Sequence, residues 1–206
     1  MDIGFQNAGF DIKACIEIDK SCCATLRKNM PETLVLNRSV VGMSGEWLLS
    51  ECKIDDGRVD LVFGGPPCQS FSLAGSRTGL DDDRGKLVFE FIRLIKELTP
   101  VAFVMENVKA MMTWGGGEVM REIEKEFENP IEVHGQKVSY RIESEVLNAA
   151  DFGVAQNRHR VFVVGNRVDV EFKHPVGPIM TIRPTVGQIL AKLPAACESV
   201  RSSVYG

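Results

Sequence analysis

The chain has 206 residues, 44% of them hydrophobic, enough for one sizeable domain with its own core. With 24 basic and 28 acidic residues its net charge is −4, which excludes the electrostatic footprint of an independent nucleic-acid binder. Six cysteines without CxxC spacing, three scattered histidines and no long apolar run point to a reduced, cytoplasmic protein with neither disulfides nor metal and no membrane span.

In chain order, residues 1–8 form a short helix with one apolar side, and Gly9 reads as its cap. A strand over 12–18 ends in Glu17-Ile18-Asp19, and Asp19 caps a helix over 20–29. An acidic residue at the end of the second strand of a nucleotide-binding α/β unit suits a ribose diol, because a carboxylate accepts from both hydroxyls. The same Glu could equally be a solvated surface residue beside the cap. Residues 59–63, Val-Asp-Leu-Val-Phe, read as a buried parallel strand. They run into Gly64-Gly65-Pro66-Pro67-Cys68-Gln69-Ser70. Two glycines let the chain turn, and two prolines hold the next residue on a stiff arm. A thiol presented there sits where open α/β sheets place their ligands.

Asp81-Asp82-Asp83 suits a helix N-terminus better than a metal. Leu87, Val88, Phe91, Leu94, Ile95 and Leu98 recur at helical spacing, so a crossover helix spans roughly 84–98. The apolar run 101–105 follows and delivers Glu106-Asn107-Val108 to the same rim. A strand, a right-handed helical crossover and a strand make the two strands parallel neighbours or near-neighbours. Cys68 and Glu106 are then expected on one edge, a nucleophile beside a carboxyl group that can carry a proton. Gly115-Gly116-Gly117 reads as a flexible loop. Gln156-Asn157-Arg158-His159-Arg160 precedes the strand 161–164, and alternation places Arg158 and Arg160 on one side. Two guanidiniums facing one way make an anion or base-edge clamp, or simply a charged strand entry. After His174-Pro175 a short helix is expected near 185–193.

Pro66-Pro67-Cys68-Gln69, then Glu106-Asn107-Val108, then Gln156-x-Arg158-x-Arg160, in this order and spacing, resemble the cytosine-C5 DNA methyltransferases, over about residues 4 to 190. The resemblance implies a Rossmann-like, S-adenosylmethionine-dependent methyltransferase fold: α/β, with a mostly parallel sheet and helices on both faces. It implies transfer of a methyl group from S-adenosylmethionine to C5 of a cytosine flipped out of DNA. Cys68 would add to C6, Glu106 would hold or protonate N3, and Arg160, with Arg158 in support, would contact the cytosine carbonyl or adjoining phosphate. Glu17 matches the ribose-binding glutamate, and Ile18 the apolar residue against the adenine. Asn37 falls where the family usually has an aspartate on the adenine amino group, and can still accept there through its amide oxygen. Pro67 and Leu87 match positions lining the cofactor cleft.

The departures bear on the expected state of the chain. Relatives open with a hydrophobic strand and a glycine-rich turn that cradle the methionine end of the cofactor, whereas Met1 falls inside the helix that follows. That strand is normally central, so its neighbours must close a gap or leave backbone groups unpaired. The target-recognition domain and return segment also have no counterpart. A single, incomplete catalytic domain over 1–206 is therefore expected, binding S-adenosylmethionine weakly or not at all by itself and completed by further chain or by a second polypeptide that carries the target-recognition domain. A non-catalytic remnant, and an enzyme acting on transfer RNA, stand as the alternatives.

Overall fold

The computed structural model describes residues 1–67, 86–133, 136–177 and 183–193. Helix α1 (Asp2–Asn7) ends at Gly9, which turns the chain at φ 92° into strand β1 (Ala14–Glu17). Helix α2 (Lys20–Asn29) begins where expected, with the Asp19 carboxylate accepting from the backbone N–H groups of Ser21 and Cys22 at 2.7 and 2.9 Å. Those bonds, led by the Ser21 hydroxyl, pull the Asp19 carboxyl down to about 2. Strand β2 (Leu34–Asn37) pairs parallel with β1, and helix α3 (Gly45–Glu51) follows from a Ser44 cap.

Strand β3 (Leu61–Gly64) pairs parallel with β4 (Ala102–Val108) through helix α4 (Lys86–Leu98), as the crossover reading predicts. Glu106, Asn107 and Val108 lie inside β4 rather than beyond it, because β8 (His159–Asn166) continues the ladder as far as the pair Val108–Arg160. Helix α5 (Glu118–Glu126), the pair β5 (Ile131–Val133) and β6 (Gln136–Val138), and strand β7 (Arg141–Asn148) were not anticipated. Gly115 to Gly117 form an ordered turn rather than a flexible loop: all three take positive φ, and Gly117 caps α5. Helix α6 (Val186–Leu190) starts at a Thr185–Gln188 capping box.

The described strands form three groups: β1–β2, β3–β4–β8–β7 and β5–β6. Parallel pairing holds on the amino-terminal side. The carboxyl-terminal side is antiparallel, since the short link between β7 and β8 carries no crossover helix and makes them antiparallel neighbours. Helices cover both faces. Val62 and Phe103 face α3, α4 and α5, while Phe63 faces Phe5 of α1 and Leu26 of α2. No described helix is long and apolar enough to cross a membrane.

The main core gathers Phe103 and Met105 of β4, Val161 and Val163 of β8, and the inner faces of α4 and α5. Phe103 stacks on Phe127 at 5.1 Å between ring centres, and its other side covers Gly165, its cross-strand partner. A Cβ on Gly165 would lie 2.1 Å from a ring carbon of Phe103. Gly165→Ala should therefore destabilise the domain by roughly 1–3 kcal/mol, the usual cost of overpacking a tight core. Urea unfolding would read this as a lower midpoint at an unchanged slope, and Phe103→Leu in the same chain should recover part of the loss.

Candidate active site

Glu106 and Arg160 stand on one face of the β4–β8 ladder, offset diagonally because Glu106 pairs with Phe162 and Arg160 with Val108. A diagonal pair is within reach of long side chains. Arg160 Nε donates to Glu106 Oε1 at 2.9 Å, and Arg160 Nη1 donates to the His159 carbonyl at 2.8 Å. The other carboxylate oxygen points to the β3 exit: a Cβ on Gly65 would lie 3.2 Å from Glu106 Oε2. A glycine there lets the backbone pass close to the carboxylate. One residue on, the buried Asn107 donates from Nδ2 to the Pro66 carbonyl at 3.1 Å. Its Oδ1 accepts from the Val108 N–H at 2.8 Å. β4 thus positions Glu106 on one face and, from the other, ties down the Gly65-Pro66-Pro67 segment.

Cys68 lies outside the described residues, as do Asp81 to Asp83. Arg158 precedes β8 and is exposed; its backbone N–H donates to Asn148 Oδ1 at 3.0 Å, and that oxygen also accepts from Ala150 N–H. Asn107 and Asn148 are the positioning side chains that sequence reasoning did not assign a role. An asparagine within an apolar strand was the available signal for Asn107, because a buried amide must find partners.

On the cofactor side, Glu17, Ile18, Pro67 and Leu87 all line one cleft of about 1580 Å³ between β1 and β3. Glu17 is half-buried; its Oε1 accepts from the Asp19 N–H at 2.8 Å, which orients the carboxylate and leaves its other oxygen for a ligand. Ile18 is 70% exposed at the rim, an apolar surface against which a flat ring could pack. Asn37 stands behind these two rather than on the cleft wall. Its Nδ2 donates to the carbonyls of Glu17 and Ile18 at 3.1 and 2.8 Å, so the amide oxygen is the end left to accept. These residues fit a nucleoside-bearing cofactor: a carboxylate for a diol, an exposed apolar side chain for a base, and an amide acceptor nearby. Among the described residues no cluster of His, Cys, Asp or Glu could hold a metal ion.

The described cysteines narrow the search for a nucleophile. Cys23 is buried, with its thiol on the Glu17 carbonyl at 3.3 Å. Burial, and then Asp2 beside it, push the Cys15 thiol up to about 12. Desolvation also raises Cys22 and Cys52, with Asp19 and Glu51 respectively adding to it. The environments of Cys15, Cys22 and Cys52 each disfavour the thiolate, the reactive form.

A Rossmann-like methyltransferase domain of the S-adenosylmethionine-dependent, C5-cytosine type is the class that this fold defines. The crystal structure of a prophage-encoded E. coli protein superposes with TM-score 0.72 at 29% identity, over 92% of this chain and 50% of that one. Spodoptera frugiperda DNMT2 superposes with TM-score 0.58 at 21% identity, over 82% and 47%, a likeness of fold. The family model of C-5 cytosine-specific DNA methylases matches residues 1–196, and the chain belongs to that family. It is 50% identical over 175 residues to the Type II methyltransferase M.AquIA of Picosynechococcus sp., covering 85% of this chain and 71% of that protein. To the Type II methyltransferase M1.HphI of Haemophilus parahaemolyticus it is 39% identical over 194 residues, covering 93% and 49%. The chain thus spans between about half and about seven-tenths of these relatives.

The Cys15 environment carries a prediction with a definite sign. The folded thiol titrates near 12 against an ordinary value of 9.0, so its contribution to stability is fully present below about pH 9 and is lost as pH rises towards 12. Cys15→Ala should flatten that part of the alkaline stability profile, measured by urea unfolding at stepped pH. In the native chain at pH 8, iodoacetamide should label the exposed Cys22 well before Cys15.

Proposed function

We propose that the chain is the catalytic part of a DNA (cytosine-5-)-methyltransferase that transfers a methyl group from S-adenosylmethionine through a covalent Cys68 adduct. One observation carries this reading. Glu106, paired to Arg160, faces the backbone of Gly65, and Asn107 beside it holds Pro66, two residues before Cys68. The raised thiols of Cys15, Cys22 and Cys52 and the burial of Cys23 support Cys68 as the nucleophile by contrast. The Type II relatives support DNA as the substrate.

The steps follow from the groups. The Cys68 thiolate bonds to C6 of the flipped cytosine and pushes its electron pair towards N3 and C5. Glu106 holds or protonates N3, so charge does not accumulate on the ring. Arg160 keeps the carboxylate aimed at the base, and its remaining donors reach the cytosine carbonyl or adjoining phosphate, with Arg158 as an outer cation. When bound, S-adenosylmethionine would supply an electrophilic methyl group to C5, the S–CH3 bond breaking and S-adenosylhomocysteine leaving. A base then takes the C5 proton, and the ring electrons expel the Cys68 thiolate, breaking the C6–S bond. The cofactor would be held by Glu17 at the ribose diol and Ile18 against the adenine, with Pro67 and Leu87 at the sides, and Asn37, set behind Glu17 and Ile18, would offer its amide oxygen to the adenine amino group. The target-recognition function belongs to further sequence or to a second polypeptide.

Supplied with those completing segments, the protein should methylate cytosine in DNA. Cys68→Ser should abolish turnover, since an alkoxide is far harder to form than a thiolate. Glu106→Gln should bind substrate yet lose on the order of 10²-fold or more in rate, the usual worth of a positioned proton donor. DNA carrying 5-fluorocytosine should trap a Cys68 adduct visible by denaturing electrophoresis. A completed assembly that binds cofactor and DNA but forms no adduct would overturn the catalytic reading, and labelling of transfer RNA alone would overturn the substrate.

A further inference from the structure

We infer that Asn37 is a positioning residue for the nucleoside end of the cofactor: its two amide N–H groups clamp the peptide plane on which Glu17 and Ile18 both depend. The inference rests on the cofactor reading of this rim and adds to it a role played through other residues. Strand β1 stops at Glu17, which pairs with Asn37 of β2. There the strand pairing ends, and the next N–H, that of Arg38, turns back to the Leu36 carbonyl at 3.1 Å. Ile18 lies one residue past the strand and is 70% exposed, so packing does little to hold it. Main-chain atoms must therefore set where its side chain stands.

Asn37 supplies that hold. Nδ2 carries two hydrogens, and it donates to two successive carbonyls, of Glu17 at 3.1 Å and of Ile18 at 2.8 Å. The Ile18 carbonyl and the Asp19 N–H are the two ends of one planar peptide unit. Asn37 takes its oxygen end, and its N–H end donates to Glu17 Oε1 at 2.8 Å. Fixing the plane at one end thus aims the donor at the other, and that donor orients the carboxylate proposed for the ribose diol. The Glu17 carbonyl also accepts from the Cys23 thiol at 3.3 Å, so the Ile18 plane is the part most dependent on Asn37. A flipped amide would not serve, since its oxygen would face two carbonyl oxygens. Aspartate has the same shape without a donor, and would face both carbonyls with a charge.

Two variants of the full chain separate a clamp from a direct contact. Without ligand, amide exchange at Asp19 should quicken about tenfold in both Asn37→Ala and Asn37→Asp, the worth of one ordinary hydrogen bond. Exchange at Val161 and Val163 should stay unchanged, which separates a local loosening from a loss of global stability. S-adenosylhomocysteine, followed by NMR shifts at Glu17 and Ile18, should bind Asn37→Ala roughly tenfold more weakly than the native chain, and Asn37→Asp more weakly still. Were the oxygen alone important, Asn37→Asp would bind as well as the native chain and only Asn37→Ala would lose affinity. That order overturns the proposal, as does unchanged exchange at Asp19. If S-adenosylhomocysteine moves neither Glu17 nor Ile18 in the native chain, the cofactor reading falls and takes the role toward the nucleoside with it, while the exchange result still decides the clamp.

Discussion

Hydrogen bonding of β4 on both edges is the constraint on which the rest of the structure depends. It runs parallel to β3 and antiparallel to β8, and its inward residues Phe103 and Met105 are each only 1% exposed. A register slip of one residue would turn Glu106 into the core and Asn107 out of it. The site is therefore specified by burial: the same pleat that commits Phe103, Met105 and Asn107 to the core leaves Glu106 on the face where Arg160 reaches it. The catalytic candidates inherit the rigidity of the best-packed strands and need no stiffness of their own.

Among the described residues, the β1–β2 half is held to this frame without backbone pairing. Phe5 of α1 stacks on Phe63 of β3 at 4.2 Å between ring centres. On the opposite face, Ile16 and Val62 pack on a shared cluster of Met43, Leu48 and Leu98. Glu97 of α4 adds a polar tie, accepting from the Gly45 N–H at 2.7 Å and from Arg93 at 2.6 Å, while Arg93 also donates to the Val40 carbonyl. Burial pushes the Glu97 carboxyl up, but the Gly45 and Arg93 contacts more than offset that and bring it below its usual range. Gly45 permits this closeness, since a Cβ there would meet the Glu97 Cβ at 2.9 Å. Side-chain contacts thus hold the two halves together across a cleft, and the cleft is where the cofactor residues lie.

Much of this was legible in the residues. Helix α2 and its Asp19 cap, the crossover helix, the parallel pairing of β3 with β4, and the neighbourhood of the Pro66-Pro67 turn and Glu106 follow from local patterns whose periods differ between helix and strand. The hairpin pair β5–β6 and strand β7 were not read, because they are short or only half-buried and their partners are set by tertiary pairing. Gly115 to Gly117 were misread as loose because a glycine run also suits a tight turn of positive φ, and only the start of α5 beside it decides which.

What the sequence by itself determined is the chemistry on offer: a cysteine after two prolines, a carboxylate, two arginines and an acidic strand end, with spacing specific enough to point to the family. Only the tertiary structure decided how those groups meet. The Arg160–Glu106 contact is a diagonal across an antiparallel ladder, and the anchoring of Pro66 by Asn107 crosses from one strand to the loop of another. Both depend on register between segments distant in sequence, which no local propensity encodes. The cleft between β1 and β3 that gathers Glu17, Ile18, Pro67 and Leu87 is likewise a property of strand order, visible only once the strands are placed in space.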